Sequence, residues 1–145
     1  MASQNPGIFR DFAETRNIAF HEIDLHAGDP IPKLDDYDGL WVMGGSMDVW
    51  EEDKYPWLVE EKQAIRHAVK DLKMPFLGIC LGHQLVAEAL GGRAEKMPNH
   101  EIGLFEIKPT LEGHNHPLLK NFDVSDKWVN VHLVEITKAP EGSII

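Results

Sequence analysis

The chain has 145 residues, 43% of them hydrophobic and 26% charged, and its 24 acidic and 14 basic side chains give a formal net charge of −10. This length closes one core without a staple, and the acidic balance repels nucleic acid and anionic membrane surfaces. No apolar run approaches the roughly 20 residues that cross a bilayer, no basic-then-apolar signal peptide opens the chain, and the single cysteine excludes an internal disulfide or a cysteine-rich zinc site, so a reducing cytoplasm is expected.

Ile8, Phe9, Phe12 and Ala13 recur at helical spacing and predict a helix over 6–16, followed by an extended stretch over 18–23. The two prolines in 29–32 predict a loop, because proline withholds a donor and biases its predecessor away from helix. Residues 40–43, Leu-Trp-Val-Met, form a compact apolar run that stops at Gly44-Gly45 as a buried strand stops. An acidic and aromatic loop over 48–55 leads to Pro56 at a first helical position. Trp57, Glu61, Ile65, Ala68 and Leu72 then share one helical stripe, broadened by Leu58, Ala64 and Val69, until Pro75 ends it.

A second apolar run, 76–79, leads straight into Cys80, and helical spacing resumes over 81–90 before Gly91-Gly92. Residues 102–108 alternate like a strand, and 128–136 form another strand candidate. Apolar runs alternating with amphipathic helices predict an α/β fold, a mostly parallel sheet with helices on both faces, in one domain over 1–145. Such sheets place their working site at the carboxyl ends of strands, where both Gly44-Gly45 and Cys80 fall.

The run Gly78-Ile79-Cys80-Leu81-Gly82-His83-Gln84 has the form of a nucleophile elbow with sulfur in place of a hydroxyl. Glycines two before and two after Cys80 let a strand turn sharply into a helix, and the helix N-terminus favours the reactive thiolate. The Leu81 N–H faces an oxyanion formed at an attacked carbonyl, and the Gly44-Gly45 loop is the candidate second donor. The plainer alternative is a buried cysteine filling space between strand and helix.

Residues 78–84 resemble the nucleophile motif of the class I glutamine amidotransferases, and Gly44-Gly45-Ser46-Met47-Asp48 is similar to that family's oxyanion loop, with Ser46 where proline is common. Trp41-Val42-Met43, Glu101-Ile102-Gly103, His116-Pro117-Leu118, and His132 followed by Pro140 and Gly142 extend the likeness in order, closest to the stand-alone branch described as GMP-synthase-like. The resemblance implies a flavodoxin-like sheet and thiol hydrolysis of glutamine or a γ-glutamyl compound, with Cys80 as nucleophile and the backbone amides of Gly45 and Leu81 as oxyanion donors. It further implies that Gln84, Gly44 and His132 contact a small-molecule substrate. No metal or cofactor is implied, and the sequence leaves any protein partner open.

A thiol of this kind needs a histidine base oriented by a third group, which the family supplies in a His-Pro-Glu motif. None occurs here. His116-Pro117 is followed by Leu118, and His132 with Glu135 falls where the family has a different motif; neither is the expected base. His83 is expected to be a structural polar contact, and His100 and His114 solvated loop residues. Trp50, Tyr55 and Trp57 are expected to pack at a helix start rather than to line a substrate mouth. Residues 1–5 leave no room for the strand that the family places before the opening helix, and Ser143-Ile144-Ile145 reads as a strand just begun. An incomplete domain with exposed sheet edges and impaired catalysis is therefore expected. The competing readings are a non-catalytic binding or regulatory module that retains the fold, and another elbow-thiol enzyme such as an aldehyde-handling protein or a cysteine peptidase.

Overall fold

A computed structural model describes residues 7–119 and 127–144; the expectations for residues 1–6 and 145 lie outside them. Helix α1 (Ile8–Thr15) turns its one buried side chain, Ala13, inward. The stretch after it, where an extended segment over 18–23 is expected, carries neither helix nor strand and joins no sheet. It is held instead by Arg10 to Glu22 (2.6 Å) and by His21 Nδ1 to the Tyr37 hydroxyl (2.7 Å).

Strand β1 (Leu40–Val42) and strand β2 (Phe76–Gly78) pair in parallel, with Leu40 opposite Phe76 and Val42 opposite Gly78. Between them runs α2 (Trp57–Arg66), entered through Pro56 in helical conformation. A single wider turn, His67–Asp71, follows α2, where Leu72 N–H reaches the His67 carbonyl. Leu58, Ile65 and Ala68 are buried along this stripe as the periodicity requires.

Helix α3 (Leu81–Ala89) leaves the end of β2 directly. Beyond it, β3 (Arg93–Glu106) and β4 (Lys127–Lys138) form a long antiparallel ribbon, a second sheet separate from the parallel pair. The short helix α4 (Leu111–Asn115), capped by the Thr110 side chain on Gly113 N–H, lies between them in the chain, where no apolar periodicity marks it. The fold is thus α/β with a parallel sheet. β3 starts well before 102, because Ala94, Glu95 and Lys96 already pair with Ile136, Glu135 and Val134 ahead of a register shift. His100 accordingly sits in a strand and His114 in a helix rather than in loops, although both are solvent-exposed.

The core joins all of this at one place. Val42 from β1, Leu58 and Ile65 from α2, Leu81 and Leu85 from α3, Ala94 from β3 and Val134 from β4 form one buried cluster with Val49. Both walls of the candidate site therefore rest on the same packed side chains.

Candidate functional site

Because β1 and β2 are parallel neighbours, their carboxyl ends emerge side by side. Gly44-Gly45 follows one and Cys80 the other, and Ile79 N–H donates to the Val42 carbonyl at 2.9 Å, tying the two ends together.

Cys80 is the N-cap of α3, with φ 55° and ψ −110°, a region a side-chain-bearing residue rarely adopts. The bend is held by Gly82 N–H to Ile79 O, His83 N–H to Cys80 O and Gln84 N–H to Cys80 O. Its tightness explains both flanking glycines. A Cβ on Gly78 would stand 2.6 Å from the Gly82 carbonyl oxygen, and one on Gly82 would stand 2.2 Å from the Val42 carbonyl oxygen. Backbone rests on backbone here, leaving no side chain to yield. The thiol is exposed rather than packed away, so Cys80 does not fill space between strand and helix.

The loop after β1 lies against the first turn of α3: a Cβ on Gly45 would meet Leu81 Cδ2 at 2.7 Å. The Leu81 N–H, at the first helical position, has no acceptor within the helix. Two stretches carrying candidate oxyanion donors thus meet beside an exposed sulfur. Gln84, one turn into the helix, is the single buried polar side chain among the described residues, at 8% exposure.

His132 stands directly across the ribbon from Glu101, Nδ1 to Oε2 3.4 Å, and Asn130 Nδ2 donates to the same carboxylate oxygen at 3.5 Å. Reading along the sequence misses this trio, since Glu101 lies 29 and 31 positions from Asn130 and His132 and meets them only through the strand register. Burial lowers the His83 imidazole below the ordinary histidine range, and the charge of nearby His132 adds to the effect. The ribbon meets α3 through the core, where Val134 packs in one cluster with Leu81 and Leu85.

The remaining histidines lie elsewhere. His116 Nδ1 accepts from Leu118 N–H, His67 pairs with Asp71 at 2.9 Å, and His26 meets the Trp57 ring edge-on. Tyr55 and Trp57 pack on the core at the start of α2. Trp50 lines an open cavity of about 460 Å³ with Val49, Glu52, Lys62, Glu88 and Arg93. None of the residues bordering that cavity belongs to the Cys80 bend or the diglycine loop. Among the described residues no group of three or more His, Cys, Asp or Glu side chains is arranged to hold a metal ion, and no helix is long and apolar enough to cross a membrane.

Residues 7–145 match the family described as glutamine amidotransferase class-I. The chain is 35% identical over 123 residues to a glutamine amidotransferase-like protein, YfeJ, of Salmonella typhimurium, covering 82% of this chain and 51% of that one. It is 34% identical over 113 residues to one of the subunits of the glutamine-hydrolysing GMP synthase of Saccharolobus solfataricus, covering 78% and 55%. A crystal structure of a glutamine amidotransferase from Methylobacillus flagellatus superposes with a TM-score of 0.86 at 33% identity, covering 98% of this chain and 55% of that one. The chain spans about half the length of each.

Proposed function

Because the chain belongs to the class I glutamine amidotransferases, we propose that Cys80 is the nucleophile of an amide hydrolysis on glutamine or a γ-glutamyl compound. The observation that supports this best is the contact of the Gly45 loop with Leu81 beside an exposed Cys80 held at positive φ.

The Cys80 thiol gives its proton to solvent, and the sulfur attacks the side-chain amide carbon, forming a C–S bond while the carbonyl π pair moves onto oxygen. The backbone N–H groups of Gly45 and Leu81 hold that oxyanion, and each such donor is typically worth roughly 10²–10³ in rate. When the carbonyl re-forms, the C–N bond breaks, the nitrogen leaves as ammonia with a proton from solvent, and water then opens the thioester to the acid. Gly44, Gln84 and His132 contact the substrate. No cofactor or metal takes part, the setting is the cytoplasm, and any ammonia acceptor belongs to a separate partner protein.

The step this chain performs poorly is the proton transfer. It has no His-Pro-Glu motif, and the histidine–carboxylate pairs that form, His132 with Glu101 and His67 with Asp71, lie on the ribbon and at the end of α2. Thioester formation is therefore expected to be slow, with the pocket still recognising glutamine. Ammonia release from glutamine tests the missing base, and Cys80-dependent turnover at an ordinary enzymatic rate would refute it. Intact-mass detection of Cys80 labelled by a chloroketone analogue of glutamine tests the pocket separately. The missing base also favours a second reading, a non-catalytic binding module; a Cys80→Ser chain that keeps every biological effect would support it.

A further inference from the structure

Between β1 and α2 the chain runs from Met43 to Pro56 through turns, with no strand or helix to set its path. Gly44-Gly45 at its start adds backbone freedom. An oxyanion donor at Gly45 needs the opposite, an N–H held to within about 0.5 Å of its productive position.

Three contacts supply that constraint. Val49, 1% exposed, packs in the cluster that also contains Val42 and Leu81. Glu51 closes a turn on Asp48: its Oε2 accepts from the Asp48 N–H at 2.9 Å, and its own N–H donates to the Asp48 carbonyl at 3.0 Å. The third contact comes from outside the connection. The Lys62 ammonium on α2 donates to the Val49 carbonyl at 2.6 Å and to Glu52 Oε1 at 2.7 Å.

Lys62 stands where helical periodicity calls for an apolar side chain, one turn after Leu58 and one turn before Ile65, both fully buried. Its side chain is only 17% exposed, and lysine leaves water to that degree only where its charge is paired. Both partners lie on the β1–α2 connection, so the ammonium serves that connection rather than its own helix. The Val49 carbonyl has no ladder to join, and Lys62 is the donor it meets. The open cavity that Lys62 borders admits water to these groups. Removing the ammonium is therefore expected to loosen the connection while leaving the core folded.

We propose that Lys62 is a positioning residue for amide hydrolysis at Cys80. Its grip on Val49 and Glu52 fixes the connection on the far side of Gly44-Gly45 while β1 fixes the near side, and the Gly45 N–H is thereby presented to the oxyanion beside that of Leu81. The inference rests on the reading of Cys80 as nucleophile and Gly45 as donor. It adds a residue that keeps one donor in place without touching substrate.

The test uses the intact chain with the γ-p-nitrophenyl ester of glutamate, and iodoacetamide as a second reagent. The Cys80 sulfur bonds to the γ-carbonyl carbon, the thiol proton passes to buffer and the π pair moves to oxygen. When the carbonyl re-forms, the C–O bond breaks, p-nitrophenolate leaves with that electron pair, and water later opens the thioester. This leaving group needs no proton, so the missing base does not mask the step. Iodoacetamide alkylates the same sulfur by displacement of iodide, with no oxyanion.

Lys62→Met is expected to lower kcat for the ester at least roughly tenfold, a part of what a whole oxyanion donor supplies, with KM and the iodoacetamide rate unchanged. Lys62→Arg recovers part of the loss. Glu52→Gln, which keeps the Val49 contact, moves kcat the same way by less and serves if Lys62→Met does not fold. An unchanged kcat in the variants overturns the assignment. So does a fall of the ester and iodoacetamide rates together, which marks a purely structural lysine. If wild type releases no more p-nitrophenolate than Cys80→Ser, the reading of Cys80 itself fails, and that of Lys62 with it.

Discussion

At the scale of single residues, the Cys80 conformation costs stability. A side-chain-bearing residue at φ 55°, ψ −110° stores about 1–3 kcal/mol of strain, which the surrounding packing must hold. Glycine relieves that strain at the expense of a freer unfolded chain, so Cys80→Gly is expected to raise stability by about 1 kcal/mol while abolishing all alkylation; thermal unfolding beside a mass-spectrometric labelling assay checks both. Glu61 carries a second local cost. It lies among the apolar side chains of the α2 stripe, and burial raises its carboxyl to about 7 from an ordinary 4.5. The folded chain therefore binds this proton more tightly than the unfolded chain. The linked stability is complete below pH 4.5, declines as pH rises toward about 7, and is flat above. His83 acts with opposite sign: its lowered value makes stability fall as pH drops below the ordinary histidine range. Glu61→Gln isolates the first effect. It should make the chain more stable than wild type at pH 8, by at most about 3 kcal/mol, with the advantage gone near pH 4.5, as read from urea midpoints across that range.

At the scale of elements, the junction of β2 with α3 bears the most constraint. Gly82 presses its backbone on the carbonyl of Val42 in β1, so adding one methyl pushes a whole helix away from a strand. Gly82→Ala is expected to cost about 3 kcal/mol or more and to loosen the contact of the Gly45 loop with Leu81; equilibrium unfolding and the rate of Cys80 alkylation measure the two effects. The glycines at 78 and 82 are legible in sequence because their spacing around a thiol has one geometric meaning. The Glu101–His132–Asn130 trio is not, since register decides which residues of two strands face each other and a bulge resets it between Lys96 and Glu101. The same bulge conceals the early start of β3.

At the scale of the molecule, the outer ribbon face and α1 expose Ile102, Leu104, Val129, Val131, Ile8 and Phe12 together on a chain of net charge −10. Apolar exposure favours association and like charge opposes it, and salt weakens only the second. Light scattering is therefore expected to rise between 20 mM and 500 mM sodium chloride, reagent concentrations that span Debye lengths of roughly 20 to 4 Å. Leu104→Glu should suppress the rise. Scattering that does not change with salt would show that the ribbon face is not the adhesive surface.

The sequence by itself determined the α/β class, the elbow at Cys80 and the diglycine loop before it, because each is written in spacing that local backbone geometry reads directly; that it contains no His-Pro-Glu motif is read from the letters alone. Tertiary structure alone decided that the diglycine loop touches Leu81, that the stretch over 18–23 joins no sheet, and that Glu101 meets His132 across the ribbon, with its apolar face outward. These depend on which strands pair and in what register. That choice is made by burial summed over the whole core, and no window of neighbouring residues contains it.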